Sequence, residues 1–257
     1  MSARLDGRRV LVVGAGTQRS EDLEAPPGNG RAISVLAARA GASLALADRD
    51  EPSVRETARL VEYEGAKATV VIGDVTDEAA CEAIVGDAVS QMGGLDGLVL
   101  NIGIGAGGRL AGTSASQWDL VFSVNVRSHF LLAKAALPHM SHGSIVFISS
   151  VAGLKPGSSI PAYDSSKAAI AGLCRHVALE GSRQGVRANI IAPGLIDTPL
   201  GRRASEGRPS RDTTNVPLGR QGTAWEVAAP VVFLLSDDAS YLTGQVIAVD
   251  GGLSTLR

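Results

Sequence analysis

Short β-branched runs alternate with longer amphipathic stretches along nearly the whole chain, and that alternation leaves few folds open. Strands are expected over residues 9–14, 43–48, 68–73, 97–101, 144–149, 186–192 and 245–249. Helical patterns fill the gaps over residues 30–40, 52–64, 77–92, 116–140, 163–183 and 224–236. Strands joined through helices pair in parallel, and runs as apolar as Val10-Leu-Val-Val13 are buried on both faces. The expectation is therefore an α/β fold: a doubly wound parallel sheet of about seven strands with helices on both faces. A Pro/Gly/Arg-rich loop of some twenty residues is expected between the sixth strand and the last helix. Nothing resembling an interdomain linker breaks the alternation, so residues 1–257 are read as a single domain.

Composition narrows the partners. Charged residues are only 19% and hydrophobic ones 45%, enough to fill a core and too apolar for a disordered chain. A net charge of −2 without a basic block argues against nucleic acid. The start Met1-Ser-Ala-Arg-Leu-Asp6 has no apolar targeting segment. No run reaches the roughly 18 unbroken apolar residues of a membrane span. Cys81 and Cys174 lie in helical patterns without metal-ligand spacing, as expected of buried thiols in a reducing cytoplasm. The four histidines likewise show no metal spacing, and packing or solvent-facing roles are expected for them.

The first strand runs into Gly14-Ala-Gly16, and a second cluster, Gly28-Asn29-Gly30, opens the first helix. Glycines between a strand and a helix let backbone approach a pyrophosphate at a helix N-terminus. Asp48 closes the second strand eighteen residues after Gly30, where an acid bonds ribose hydroxyls and repels a 2′-phosphate. That favours NAD over NADP, although Arg49 beside it offers a guanidinium to such a phosphate. Asp74-Val75 and Asn101-Ile102-Gly103 close the third and fourth strands on the same rim.

The second constellation is Ser150, thirteen residues before Tyr163, with Lys167 four residues further on. Tyr163 and Lys167 share a helix face, about 6 Å apart along its axis. A free phenol titrates near 10, and lowering it by roughly three units needs about 4 kcal/mol of preferential phenolate stabilisation. A nearby ammonium in a partly desolvated site can supply most of that. The group reads as an acid/base centre with a hydroxyl donor beside it.

Taken with Asn125, Pro193-Gly194 and the closing Asp250-Gly251-Gly252, these residues resemble the short-chain dehydrogenase/reductases over nearly the whole length. The similarity is to the single-domain type with a Gly-x-x-x-Gly-x-Gly cofactor loop. It implies a Rossmann-type sheet and NAD(P)-dependent hydride transfer between the nicotinamide and a secondary alcohol or ketone. It further implies that Tyr163 is the general acid/base, that Lys167 binds the nicotinamide ribose and tunes the phenol, and that Ser150 holds the substrate oxygen. Asn125 would help order a water connected to Lys167, and Ile196 and Thr198 would contact the carboxamide. Such proteins are often tetrameric, so a homotetramer or dimer is expected. Two other classes stay open: a dinucleotide-sensing protein without turnover, and a sugar-nucleotide epimerase or dehydratase.

The chain departs from the family pattern in one place. Thirteen residues separate Gly14 from Gly28 where three are usual, so ten are extra. The insertion carries Arg19, Glu21, Asp22 and Glu24, and acids near a pyrophosphate repel it, so an outward loop is expected. It reads either as a tolerated surface insertion or as a flap over the adenosine half of the cofactor. Ile104, Val151, Leu154, Pro156, Ser158, Ile160 and Leu200 are expected to shape an apolar substrate pocket. Residues 201–220 carry five arginines against Glu206 and Asp212. They read as a solvated face, or as Arg202, Arg203 or Arg208 meeting an anion.

Overall fold

The computed structural model describes residues 4–256 apart from 19, 21, 23 and 206–214, which leaves Arg208 and three insertion residues outside the described set. Seven strands carry the expected pattern: β1 (Arg9–Val13), β2 (Ser43–Asp48), β3 (Ala68–Ile72), β4 (Gly97–Leu100), β5 (Ser144–Ile148), β6 (Arg187–Pro193) and β9 (Val246–Val249). They form one parallel sheet in the order β3-β2-β1-β4-β5-β6-β9. Two further short strands, β7 (Ile196–Asp197) and β8 (Gly222–Thr223), pair beyond the end of β6.

Side chains alternate across each strand. In the inner strands β1, β2, β4, β5 and β6 both sets are buried, while the edge strands β3 and β9 are partly exposed. Val10 and Val12 of β1 pack on α1 (Asn29–Arg39), α2 (Glu51–Tyr63) and α8 (Ala224–Leu235). Leu11 and Val13 pack toward α3 (Glu78–Met92), α5 (Ser128–Ala136) and α6 (Pro161–Gly181). The result is a three-layer sandwich with two hydrophobic cores separated by the sheet. Cys81 and Cys174 belong to the second core, where burial pushes their thiols up to about 11 and about 12. The apolar face of α8 is spent inward on the first core, which leaves less of it for subunit contact than its composition suggests.

The helical pattern over residues 116–140 hides a change of pitch. It begins as α4 (Ala115–Phe122), widens into one π turn (Ser123–Arg127), continues as α5 and tightens into a 3₁₀ turn (Leu137–His139). This 25-residue run has a mean hydropathy of 1.2 over its most apolar stretch, half of which is buried against the rest of the fold. The loop expected after β6 contains a helix, α7 (Pro199–Ser205), whose start is capped by Thr198 accepting from the Gly201 amide at 3.0 Å. Its Pro-Leu-Gly-Arg-Arg opening has neither length nor periodicity, so sequence pattern does not mark it.

Because β1 lies between β2 and β4, the chain reverses direction across the sheet at the β1/β4 boundary. Crossovers leave in opposite directions there, and a crevice opens beyond the carboxyl ends of the strands.

Candidate active site

The crevice is a cleft of about 1150 Å³. Of the residues expected to bind cofactor or act in catalysis, all except Asn125 and Lys167 line it. Its first end is built on glycine. Gly14 has φ of +79°, a left-handed value, and a Cβ there would strike the Asn101 carbonyl. A Cβ on Gly30 would strike the Gly14 carbonyl, so β1 and α1 can pack this closely only without side chains. Gly28 caps α1 without any side-chain hydrogen bond, which leaves the first-turn amides open to an anion. Beside them the buried Asn29 Oδ1 has no partner among the described residues. An uncapped helix start, a close backbone and an orphaned acceptor fit the pyrophosphate and ribose of a dinucleotide.

Asp48 organises this end. Its Oδ2 accepts from the Gly16 amide at 2.9 Å and its Oδ1 from the Asp50 amide at 3.1 Å. Asp74 accepts from the amide and hydroxyl of Thr76, both at 2.9 Å, and these bonds hold its carboxyl below the usual range. The Asn101 side chain donates to the Gly14 carbonyl at 2.8 Å, tying the β4 end to the glycine turn.

The insertion has a closed base. Ser53 of α2 donates its hydroxyl to the Thr17 carbonyl and accepts from the Thr17 amide, each at 2.7 Å. The Gly28 amide donates to the Thr17 hydroxyl at 3.1 Å. Farther out, Asp22 pairs with Arg202 of α7 at 2.8 Å, and Arg202 also pairs with Asp197 at 2.6 Å. The insertion thus reaches α7, with Thr17 and Gln18 lining the cleft.

At the other end α6 starts with Pro161 in its first turn, where the missing amide costs nothing. Tyr163 follows, half-buried, and Lys167 lies one turn later with its ammonium 5.8 Å from the phenol ring centroid. Lys167 is only 4% exposed and donates to the Ile102 carbonyl at 3.1 Å and the Ile148 carbonyl at 3.0 Å. Burial pulls its ammonium down to about 8. Because Ile102 contributes its carbonyl, its side chain does not enter this contact. Ser150 sits just past β5, its Oγ accepting from the Ala152 amide at 3.1 Å.

Asn125 stands behind this group on the π turn. Its Oδ1 accepts from the Ile104 amide at 2.8 Å, and its Nδ2 donates to the Ile104 carbonyl and the Ser166 hydroxyl, each at 2.9 Å. It therefore braces the loop after β4 against α6. Pitch changes of this kind are frequent at functional sites, and the side-chain pattern runs through this one without a mark.

Of the seven residues expected to shape a substrate pocket, six line the cleft, and Leu154 does not and is 48% exposed. Of the arginines read as able to meet an anion, Arg203 lines the cleft and Arg202 does not. Sequence reading missed Lys155 and Gly157 on the loop before α6, Ala204 of α7, and Leu253 and Ser254 from the C-terminal turn. That turn is held by Asp250, which accepts from the Gly252 and Ser254 amides. The histidines stay out of the cleft. His129 is fully buried beside Phe147, and burial lowers its imidazole to about 3. Among the described residues no His, Cys, Asp or Glu cluster could hold a metal ion.

Fold and cleft together fit a class: a doubly wound α/β protein with a cleft shaped for a dinucleotide. Comparison with known proteins agrees. A family model described as enoyl-(acyl carrier protein) reductase matches residues 26–254. The chain is 37% identical over 265 residues to 2-(S)-hydroxypropyl-CoM dehydrogenase 3 of Xanthobacter autotrophicus, covering all of both chains. Among solved structures it resembles levodione reductase (TM-score 0.90, 33% identity, 99% and 100% of the two chains). It also resembles a protein titled 2-deoxy-d-gluconate 3-dehydrogenase, from Agrobacterium tumefaciens with bound NADP (TM-score 0.86, 32% identity, 99% of each chain). The chain belongs to the short-chain dehydrogenase/reductase family, which binds NAD(P), and these relatives support an alcohol/ketone oxidoreductase.

Proposed function

We propose that the protein is an NAD-dependent dehydrogenase interconverting a small secondary alcohol and its ketone, working in the cytoplasm as a homo-oligomer. One observation carries the reading: Tyr163 and Ser150 open onto the substrate end of a cleft whose other end is an uncapped, glycine-built helix start. The dinucleotide, when bound, supplies the acceptor for the hydride that leaves the carbinol carbon.

The chain's own residues handle the proton. Ser150 takes its hydrogen bond from Ala152 on a lone pair, which leaves its hydroxyl proton to be donated to the substrate oxygen. Tyr163 removes the alcohol proton during oxidation and returns it during reduction. Lys167 holds a cation behind the ring in a site nearly closed to water, where its field is weakly screened and favours the phenolate. Asn125 acts as a positioning residue by fixing the loop whose Ile102 carbonyl holds Lys167.

The choice of NAD rests on Asp48, whose carboxylate stands at the ribose end with both oxygens already fixed by backbone amides. Arg49 lines the same end, and the Agrobacterium protein was solved with NADP, so the choice is directly testable. Titration should give a Kd for NAD at least tenfold below that for NADP, and Asp48→Ser should narrow the gap. Tighter binding of NADP by the unaltered protein refutes the assignment.

The alcohol/ketone class is supported by the names of the relatives, a 2-(S)-hydroxypropyl-CoM dehydrogenase and levodione reductase. It is tested by incubating the protein with NAD and a panel of secondary alcohols while following reduced-nicotinamide absorbance. Turnover that disappears in Tyr163→Phe supports it. Tight NAD binding with no turnover of any alcohol or ketone indicates a dinucleotide sensor instead.

A further inference from the structure

We propose that Lys155 and Arg203 form an anion-recognising subsite at the substrate end of the cleft, so that preferred alcohols carry a carboxylate, sulfonate or phosphate remote from the carbinol. The proposal deepens the dehydrogenase reading above and rests on it.

The charges lining the cleft are segregated. Asp48, Asp50, Asp74 and Arg49 all belong to the ends of β2 and β3, where adenosine fits. The other described charged residues on its lining are Lys155 and Arg203, both cationic and both exposed. The described acids of the adjoining segments, Asp164, Asp197 and Asp22, are already engaged. Asp164 accepts from the Gly157 amide and the Ser158 hydroxyl and does not line the cleft. Asp197 and Asp22 are both taken by Arg202. Neither Lys155 nor Arg203 makes an ion pair among the described residues, so no described carboxylate neutralises these two charges on the cleft wall.

Helix geometry explains why adjacent arginines differ. Successive residues point about 100° apart around a helix, so the Arg202 that reaches Asp22 and Asp197 leaves Arg203 facing the cavity. Both cations stand on anchored backbone. The Lys155 amide donates to the Val151 carbonyl at 2.9 Å, and Asp164, next to Tyr163 on α6, ties down the residues that follow. Arg203 sits on α7, pinned by its Thr198 cap and by Arg202. A third donor is available: Ser254 Oγ is buried on the cleft lining without a partner among the described residues. A hydroxyl and two cations from separate segments suit an anionic oxygen group, with the guanidinium offering paired donors.

The test compares two matched probes, 4-hydroxypentanoate and its uncharged amide 4-hydroxypentanamide, through the ratio of their kcat/KM values. The unaltered protein should favour the acid by about tenfold. Lys155→Gln and Arg203→Gln should each lower that ratio by about fivefold, and the double variant should bring it near one. Raising salt to 0.5 M should compress the ratio as screening grows. NAD affinity, measured by calorimetry on the same variants, should stay within twofold. An unchanged ratio overturns the proposal, and so does a loss of NAD affinity in step with activity, which assigns the cations to the cofactor. Equal turnover of the two probes overturns the subsite alone. Absence of turnover with every secondary alcohol despite NAD binding overturns the dehydrogenase reading and the subsite with it.

Discussion

The two ends of the cleft are held together by different physics. At the proton-handling end the polar groups are buried and satisfied: Lys167 by two carbonyls, and Asn125 by the Ile104 backbone and the Ser166 hydroxyl. At the insertion end the join between Asp22 and Arg202 is exposed, with both side chains about half open to water. Buried, fully bonded polar groups fix geometry and are costly to disturb, whereas exposed ion pairs contribute little and answer to salt. One end is held by buried hydrogen bonds, and the other by an exposed ion pair that salt weakens.

The largest effects should fall at the rigid end. Tyr163→Phe removes the proton acceptor and keeps the ring, so kcat/KM should drop at least 10³-fold while the Kd for NAD moves less than twofold. A loss shared equally with NAD binding breaks the claim that this end serves chemistry alone.

Lys167→Met should lower activity by a similar factor and yet stabilise the fold at neutral pH. The reason is the sign of its shift. Lys167 titrates at about 8 when folded and near 10.4 when unfolded, so between those values the unfolded chain binds more protons. Its burial penalty is complete below about pH 8 and is relieved as pH rises. Urea midpoints at pH 7 and pH 9.5 should converge between variant and parent, and parallel midpoints contradict the assignment.

A smaller effect is expected from His129, which borders the rigid end without joining it. Its imidazole stays neutral in the fold down to about pH 3, while an unfolded histidine protonates near 6.5. Stability should therefore fall as pH drops below 6.5, by up to about 1.4 kcal/mol per unit from this group. His129→Leu should flatten the acid limb of a thermal-stability profile between pH 6.5 and 4, and an unaltered slope excludes the group as its source.

The smallest effect belongs to the insertion end. Asp22→Ala should raise the release rate of reduced cofactor two- to threefold in stopped-flow fluorescence, and 0.5 M salt should erase the difference. Deleting residues 20–26 should do the same more strongly. Unchanged affinity and release after that deletion mean that the insertion is only a surface loop.

What sequence reading reached follows the same division. The strands announced themselves through β-branched runs such as Val10–Val13 and Ser144–Ile148, because local periodicity follows directly from burial on both sides. The glycine-built end of the cleft was legible for a related reason: Gly14, Gly30 and Asp48 occupy positions that only their side chains, or lack of one, permit. The contact between Asp22 and Arg202 joins residues 180 apart through exposed charge, which leaves no local pattern. The π turn under Asn125 was hidden because helical spacing continues on either side of it. Arg203 read either as solvated charge or as one of three arginines that could meet an anion, and Lys155 gave no signal, until folding set both on the cleft wall.

The two buried cysteines have a practical consequence. A thiol reacts through its thiolate, and groups held at about 11 and about 12 carry almost none at neutral pH. The chain has no other cysteine, so one introduced at Ser20 would be modified selectively by a maleimide dye in the otherwise unaltered protein. A dye at that position would report insertion movement by fluorescence as cofactor enters and leaves.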